Sequence, residues 1–319
     1  MTFWNNLTYL KNNVDCFGIK QKKMNINSWS VVGIGSEALR DVKAFQRTAE
    51  RISLFEHNVI VVEQPDKMTR LVDVLVEQRT ATALRETLEY CKSFVYGLEI
   101  GRHDVRIDIL FEKLEEALES LRGAFCKSEE EACAAKVLVL SREFFSMLFV
   151  EELRNICSCV EYLDAKEIIY AHTTGDSCAD FAQDIIKQKV RSFMTDKNTF
   201  YVIAAGVGGL MALGTHPVLL GECDMTAAIM ASCLSTEREP AKLFYIKKIF
   251  GIGVPESVTG MKRLLTFMKD SGKKVVSPYI MSVDNLPYMM VLLDADNPTL
   301  STYVTIDPLV IEYWRGDID

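Results

Sequence analysis

A chain of 319 residues, 49% of them hydrophobic, is long enough to bury a large core, which excludes intrinsic disorder as its general state. Its formal net charge of -8 comes from 44 acidic and 36 basic residues with no basic run, so nucleic acid is not expected as a partner. No apolar run approaches the roughly 20 residues that cross a bilayer, and residues 1–27 lack an apolar leader segment; a soluble, cytoplasmic protein with no membrane partner is expected.

The elements alternate in type along the chain. Residues 30–34 form a short apolar strand, and "VVGIGSEALRD" (31–41) carries it through a glycine turn into a helix with Leu39, Val42, Phe45, Ala49 and Ile52 at helical spacing. Asn58 to Glu63 is a second buried strand, ending at Gln64-Pro65. Strand, helix and strand of this length make a βαβ unit, with parallel pairing and a ligand crevice at the carboxyl ends of the strands. Residues 68–127 carry almost no strand signal and read as a helical insertion, one helix marked by Leu84, Leu88, Cys91 and Val95, another by Ile107, Leu114, Leu118 and Leu121.

Strands are expected again at Lys136–Leu140, Cys159–Leu163 and Glu167–Tyr170, with a helix at about 142–155 between the first two. A polar break at Thr173–Ser177 precedes a helix over about 178–194. Phe200–Ala205 is a buried strand opening onto a turn containing Gly206, Gly208, Gly209 and Gly214, and the helix starting near Asp224 is so rich in small and apolar residues that it must be buried. A further helix after 258 and strands at 274–276, 289–293 and 303–306, with a turn at 294–298, complete the chain. No fixed-period repeat and no Pro-, Gly- or Ser-rich linker divides it. The expectation is a single α/β domain, a three-layer αβα sandwich with a mainly parallel central sheet.

Nine cysteines (16, 91, 126, 133, 157, 159, 178, 223, 233) are scattered, and only Cys157 and Cys159 are close. That pattern suits reduced, mostly buried thiols, and no metal site is expected.

The order of motifs resembles the amino acid kinases, and within them the aspartokinases, over residues 29–306. Gly33-Ile34-Gly35-Ser36 with Phe45 is similar to the family's Lys-Phe-Gly-Gly-Thr-Ser and the phenylalanine of its next helix. Glu63-Gln64-Pro65 to Thr69 resembles Ser-Ala-Pro-x-x-x-Thr, and Arg142-Glu143-Phe144-Phe145-Ser146 resembles Gly-Glu-x-x-Ser. Leu163-Asp164-Ala165 through Ile169 looks like Leu-Asp-Ala-x-x-x-Ile; Glu222-Cys223-Asp224-Met225-Thr226-Ala227-Ala228 looks like Gly-Ser-Asp-Tyr-Thr-Ala-Ala; Gly272 to Pro278 looks like Gly-Ala-Lys-Val-Leu-His-Pro.

The resemblance implies an amino acid kinase fold with residues 1–28 as an N-terminal extension, a helical insertion at about 68–130 and a tail at 307–319. Aspartokinases usually continue into ACT domains, whereas 13 residues follow Ile306 here. The resemblance also implies roles. Asp224 falls where an acid organises the catalytic lysine; Thr69, Glu143 and Ser146 fall on the substrate pocket, Glu143 facing the substrate amino group; Gly33, Gly35, Ser36, Gly208 and Gly209 are the candidate phosphate contacts. Glu143 and Asp224 also suit plain first-turn helix positions, the glycines suit turns, and Ser36 suits a helix cap.

The departures remove positive charge. Gly33 stands where the family has lysine, no arginine matches the one in Leu-Gly-Arg-Gly-Gly-Ser-Asp around Leu219 to Asp224, and Tyr245-Ile246-Lys247-Lys248-Ile249 replaces Thr-Asp-Val-Asp-Gly. Phosphoryl transfer depends on cations placed against developing charge, and losing one such stabiliser costs roughly 10²–10³ in rate. The leading expectation is therefore a protein without phosphotransfer that binds a small amino acid or anion, or serves as a homodimer or partner subunit of a pathway enzyme. The alternative is an active carboxylate kinase, with Mg-ATP as its cofactor and charge relocated to Lys67, Lys247 or Lys248. Altered catalysis on a nucleotide-free substrate is a third course.

Overall fold

The computed structural model describes residues 29–53, 58–98, 105–173, 180–210, 214–220, 223–236, 241–247, 289–294 and 301–305. Its centre is a seven-stranded sheet. Strands β1 (Ser30–Ile34), β2 (Asn58–Val62), β3 (Val160–Leu163), β6 (Phe200–Ala204), β9 (Lys242–Lys247), β10 (Met289–Asp294) and β11 (Ser301–Thr305) lie in the order β11-β10-β9-β1-β2-β6-β3. Every pairing is parallel except β10 with β11. A smaller sheet, β5-β4-β7-β8, is built from β4 (Tyr170–Thr173), β5 (Asp180–Phe181), β7 (Val207–Leu210) and β8 (Gly214–Leu219).

Strands buried on both faces need apolar residues at successive positions, and the pleat sorts those residues cleanly. Val31, Val59, Val61, Tyr201 and Ile203 belong to one cluster, while Val32, Ile34, Ile60, Val62 and Val202 belong to the other. The first face is covered by α7 (Gln183–Phe193) and α8 (Cys223–Leu234). The second is covered by α1 (Val42–Ile52), α2 (Asp66–Gln78), α3 (Ala81–Gly97), α4 (Val105–Gly123) and α5 (Lys127–Ile156). These are the three layers.

Local chemistry starts the helices. Asp41 caps α1 by accepting from the Ala44 N–H at 2.8 Å, and Thr80 caps α3 by accepting from Ala83 at 3.1 Å. Between the helical layer and the sheet, Phe45 packs edge-on against Phe94 and Phe149, with ring centroids 5.6 and 5.2 Å apart.

The structure corrects several local expectations. Lys136–Leu140 lies in the third and fourth turns of the 30-residue helix α5, not in a strand. Gly208 and Gly209 lie inside β7, not in a turn; a Cβ on Gly208 would stand 2.3 Å from Leu220 Cδ1 and 2.7 Å from the Ile169 carbonyl oxygen, so the glycine permits a close approach. Glu167 and Ile168 belong to a single helical turn, α6 (Ala165–Ile168), and β4 begins at Tyr170. The helix expected from 178 starts at Gln183, after the short β5. The helix expected after 258, the strand at 274–276, and residues 1–28 and 306–319 lie outside the described residues.

Candidate functional site

The carboxyl ends of β1, β2, β6 and β9 are tied to one another. Gly35 donates its N–H to the Ile246 carbonyl at 2.9 Å, Glu63 donates to Ile34 at 3.2 Å, and Ala205 donates to Val62 at 2.9 Å. Gly33 is buried in β1, paired with Val61 and Tyr245, and Ser36 opens a four-residue 3-10 helix, Ser36–Leu39. Gly209 donates its N–H to the Ile169 carbonyl at 2.8 Å. The amides of Gly35 and Gly209 are thus engaged with backbone oxygens of the chain itself.

At the end of β2 the side chain of Glu63 turns into the crevice. Its Oε1 lies 3.2 Å from Arg142 Nε, each side chain being 12% exposed, and its Oε2 accepts the N–H of Cys223 at 3.0 Å, at the start of α8. Arg142, on α5, also donates from Nη1 to the Ala205 carbonyl at the end of β6, at 3.1 Å. An ion pair so little exposed holds its partners in place because either charge alone would be costly there. Next to it, Gln64 donates to Thr69 Oγ1 at 2.8 Å and accepts from the Ser141 hydroxyl. Ser146 is fully buried and donates to the Arg142 carbonyl at 2.7 Å, one turn back on α5. Asp224 is the second residue of α8.

Glu143 follows Arg142 on α5 and faces a different space. It lines a pocket of about 420 Å³ between α4, α5, β3 and α6. The residue is 6% exposed, and its Oε1 is buried without a hydrogen-bond partner among the described residues. Burial pushes its carboxyl above the ordinary value; Lys166 and Lys113 pull the other way, and Asp164 adds to the rise. Asp164 caps α6 through the Lys166 N–H at 3.2 Å, and its carboxylate pairs with Lys166 Nζ at 2.8 Å. Lys166 is raised by that hydrogen bond and by the nearby carboxylates, against the opposing effect of burial. Tyr162, on β3, lines the same pocket, and burial, then Glu143 and Asp164, hold its phenol well above the ordinary range and so neutral.

Of the residues expected at the site, Thr69 joins the Glu63 end through Gln64, Glu143 faces the pocket, and Gly208 and Gly209 belong to the smaller sheet. Sequence reasoning missed the Glu63–Arg142 pair. The signal was present as two opposite charges standing where the resembled motifs carry Ser and Gly.

No protein-family model matches the chain, and comparison with curated proteins finds no match. Solved structures do match. E. coli aspartokinase III in complex with aspartate and ADP superposes with a TM-score of 0.66 at 16% identity, covering 88% of this chain and 65% of that one. The chain has the amino acid kinase fold. Clostridium acetobutylicum aspartate kinase gives a TM-score of 0.64 at 14% identity, covering 88% and 63%. The lysine- and aspartate-bound T-state of the E. coli enzyme gives 0.65 at 15%. This amino acid kinase fold spans just under two thirds of the length of each of these aspartokinases. No helix among the described residues is long and apolar enough to cross a membrane.

Proposed function

We propose that this chain is an aspartokinase-like protein that does not transfer phosphoryl groups and instead binds a small amino-acid-class ligand or acts as a partner subunit. The observation that supports this is the Glu63–Arg142 pair at the carboxyl ends of β2 and β6. A phosphoryl-transfer site needs net positive charge facing the nucleotide. Arg142 is engaged by a carboxylate of the chain itself, so the pair brings no net charge to the crevice. Gly33 offers no side chain where the resembled motif has lysine, and Lys67 lies over the Tyr90 ring, 4.8 Å from its centroid. With two cationic stabilisers absent, the rate deficit compounds from roughly 10²–10³ for each.

The test is calorimetric titration with Mg-ATP, followed by a coupled assay for aspartate-dependent ADP release. No heat of binding at micromolar nucleotide and no release above background are expected. Micromolar ATP binding accompanied by turnover would establish the active carboxylate kinase instead.

A further inference from the structure

The large sheet has a second edge, formed by the amino ends of its parallel strands, and a buried carboxylate stands there without a cation. Glu152, near the end of α5, is 7% exposed, and its Oε2 is buried without a hydrogen-bond partner among the described residues. Burial pushes its carboxyl above the ordinary value; a hydrogen bond with Asn155, one turn on, opposes the rise, and Glu50 on α1 adds to it. Neither neighbour is a cation. Arg154, close by in sequence, is held by Glu151 and by the Val160 carbonyl, the latter at 3.3 Å.

The helix ends make this place more negative. α1 leads from the carboxyl end of β1 to the amino end of β2, and α5 runs out toward Val160 at the amino end of β3, so both helices finish at the edge where the chain enters β1. The carbonyl end of a helix carries partial negative charge and favours a cation within its last turn. A buried carboxylate between two such ends is relieved by a proton or by a cation brought to it.

A cation source is tethered at the same edge. Residues 1–28 contain four lysines and one aspartate, so the remainder of the chain is more acidic than its total of -8. Lys20, Lys22 and Lys23 lie six to nine residues before Trp29. Trp29 is pinned: its carbonyl accepts the Lys242 N–H at 2.8 Å, and its ring centroid is 6.2 Å from that of Tyr201. Six to nine residues can span up to about 20–30 Å, whereas the sheet from β1 to β3 is about 14 Å wide.

We infer that the segment Lys20–Lys23 docks on the amino edge of the sheet, with a lysine ammonium meeting Glu152 and Glu50 between the ends of α1 and α5. The contact lies at the opposite end of the strands from the Glu63–Arg142 pair and is independent of whether nucleotide binds.

Carbodiimide joins a lysine amine to a carboxylate in contact with it, so cross-linking of the full chain followed by mass spectrometry tests the docking. Links from residues 20–23 to Glu50, the exposed member of the pair, are expected to outnumber those to the exposed α4 acids Glu112, Glu115 and Glu119. Mixing isotope-labelled and unlabelled chains assigns each link to one chain or to two. Links scattered over α4, or links joining two chains, would overturn the assignment. A urea double-mutant cycle at low salt gives the second measurement. Glu152→Gln removes a buried charge and keeps the shape, so it is expected to fold. Replacing Lys20, Lys22 and Lys23 together by Gln is expected to lower the urea midpoint of the native chain, and to lower that of the Glu152→Gln chain by less than half as much. Equal shifts in the two backgrounds would overturn the docking.

Discussion

Glu143 and Glu63 are opposites in chemistry: Glu143 Oε1 is buried without a hydrogen-bond partner among the described residues, whereas the Glu63 carboxylate is held by a guanidinium and an amide. The first should weaken the fold when charged. Because burial raises its folded-state pKa, the native chain binds more protons than the unfolded chain between the ordinary carboxylate value and the raised one, so stability falls as pH rises through that window. Lys166 and Lys113 limit the effect, and Asp164 enlarges it. Urea unfolding between pH 4.5 and 8 is expected to show Glu143→Gln gaining on the native chain as pH rises; a constant difference would place the carboxyl in ordinary solvent. Arg142→Ala leaves Glu63 facing the Cys223 amide with its cation gone, and is expected to cost about 3 kcal/mol or more. Adding Glu63→Ala should cost less than the sum of the single changes, because the orphaned charge is then removed. Additive costs in a urea double-mutant cycle would show that the two groups do not act as a pair.

Helix α5 shows where pattern reading succeeds and where it stops. Lys136-Val137-Leu138-Val139-Leu140 reads as a strand because it is short, apolar and rich in valine. In the fold, Val137 and Leu140 pack into one core cluster and Val139 into the other, so the helix is apolar on more than one side and carries no 3.6-residue signature there. A helix buried on two sides and a strand buried on two sides look alike in sequence. β7 was hidden for another reason: its central Gly208 and Gly209 are poor strand formers, and it is paired because glycine lets backbone come close. By contrast β1, α1 and β2 were legible at once, since a capped amphipathic helix between two valine-rich runs has one economical arrangement. At this scale the prediction concerns Gly208. An alanine there would press its Cβ against the Ile169 carbonyl oxygen, which is backbone and cannot turn aside, and against Leu220. Gly208→Ala is expected to destabilise by about 1–3 kcal/mol, the range for overpacking a filled site, read as a lower urea midpoint. A neutral result would mean that β7 and α6 sit farther apart.

The whole molecule is a sheet whose alternate residues feed two separate cores, and this alternation ties the layers together. Val31 and Val32 are chain neighbours, yet one packs beneath α8 and the other beneath the helices α1 to α5. Neither helical layer can leave the sheet without exposing strand residues, and losing the strands removes the floor of the other layer. The candidate site depends on the same construction. Glu63 sits at the end of β2, Arg142 comes from the helical layer on one face, and the Cys223 amide comes from α8 on the other. No single segment of sequence contains it, so motif order located the strands and not the pair that crosses between layers. Cooperative unfolding should follow, although chains of this size often unfold in stages. Trp29 reports from one side, its ring 6.2 Å from that of Tyr201 by centroid. Phe45 lies on the other side, fully buried between Phe94 and Phe149. Phe45→Ala opens a cavity there and is expected to cost about 3–5 kcal/mol. In a background with Trp4 and Trp314 replaced by Phe, Trp29 fluorescence and far-UV circular dichroism should shift to lower urea together, although the substitution is across the sheet from the probe. If the dichroism transition moves while the fluorescence midpoint stays in place, the two layers unfold independently, and the pair joining Glu63 to Arg142 bridges elements that can come apart.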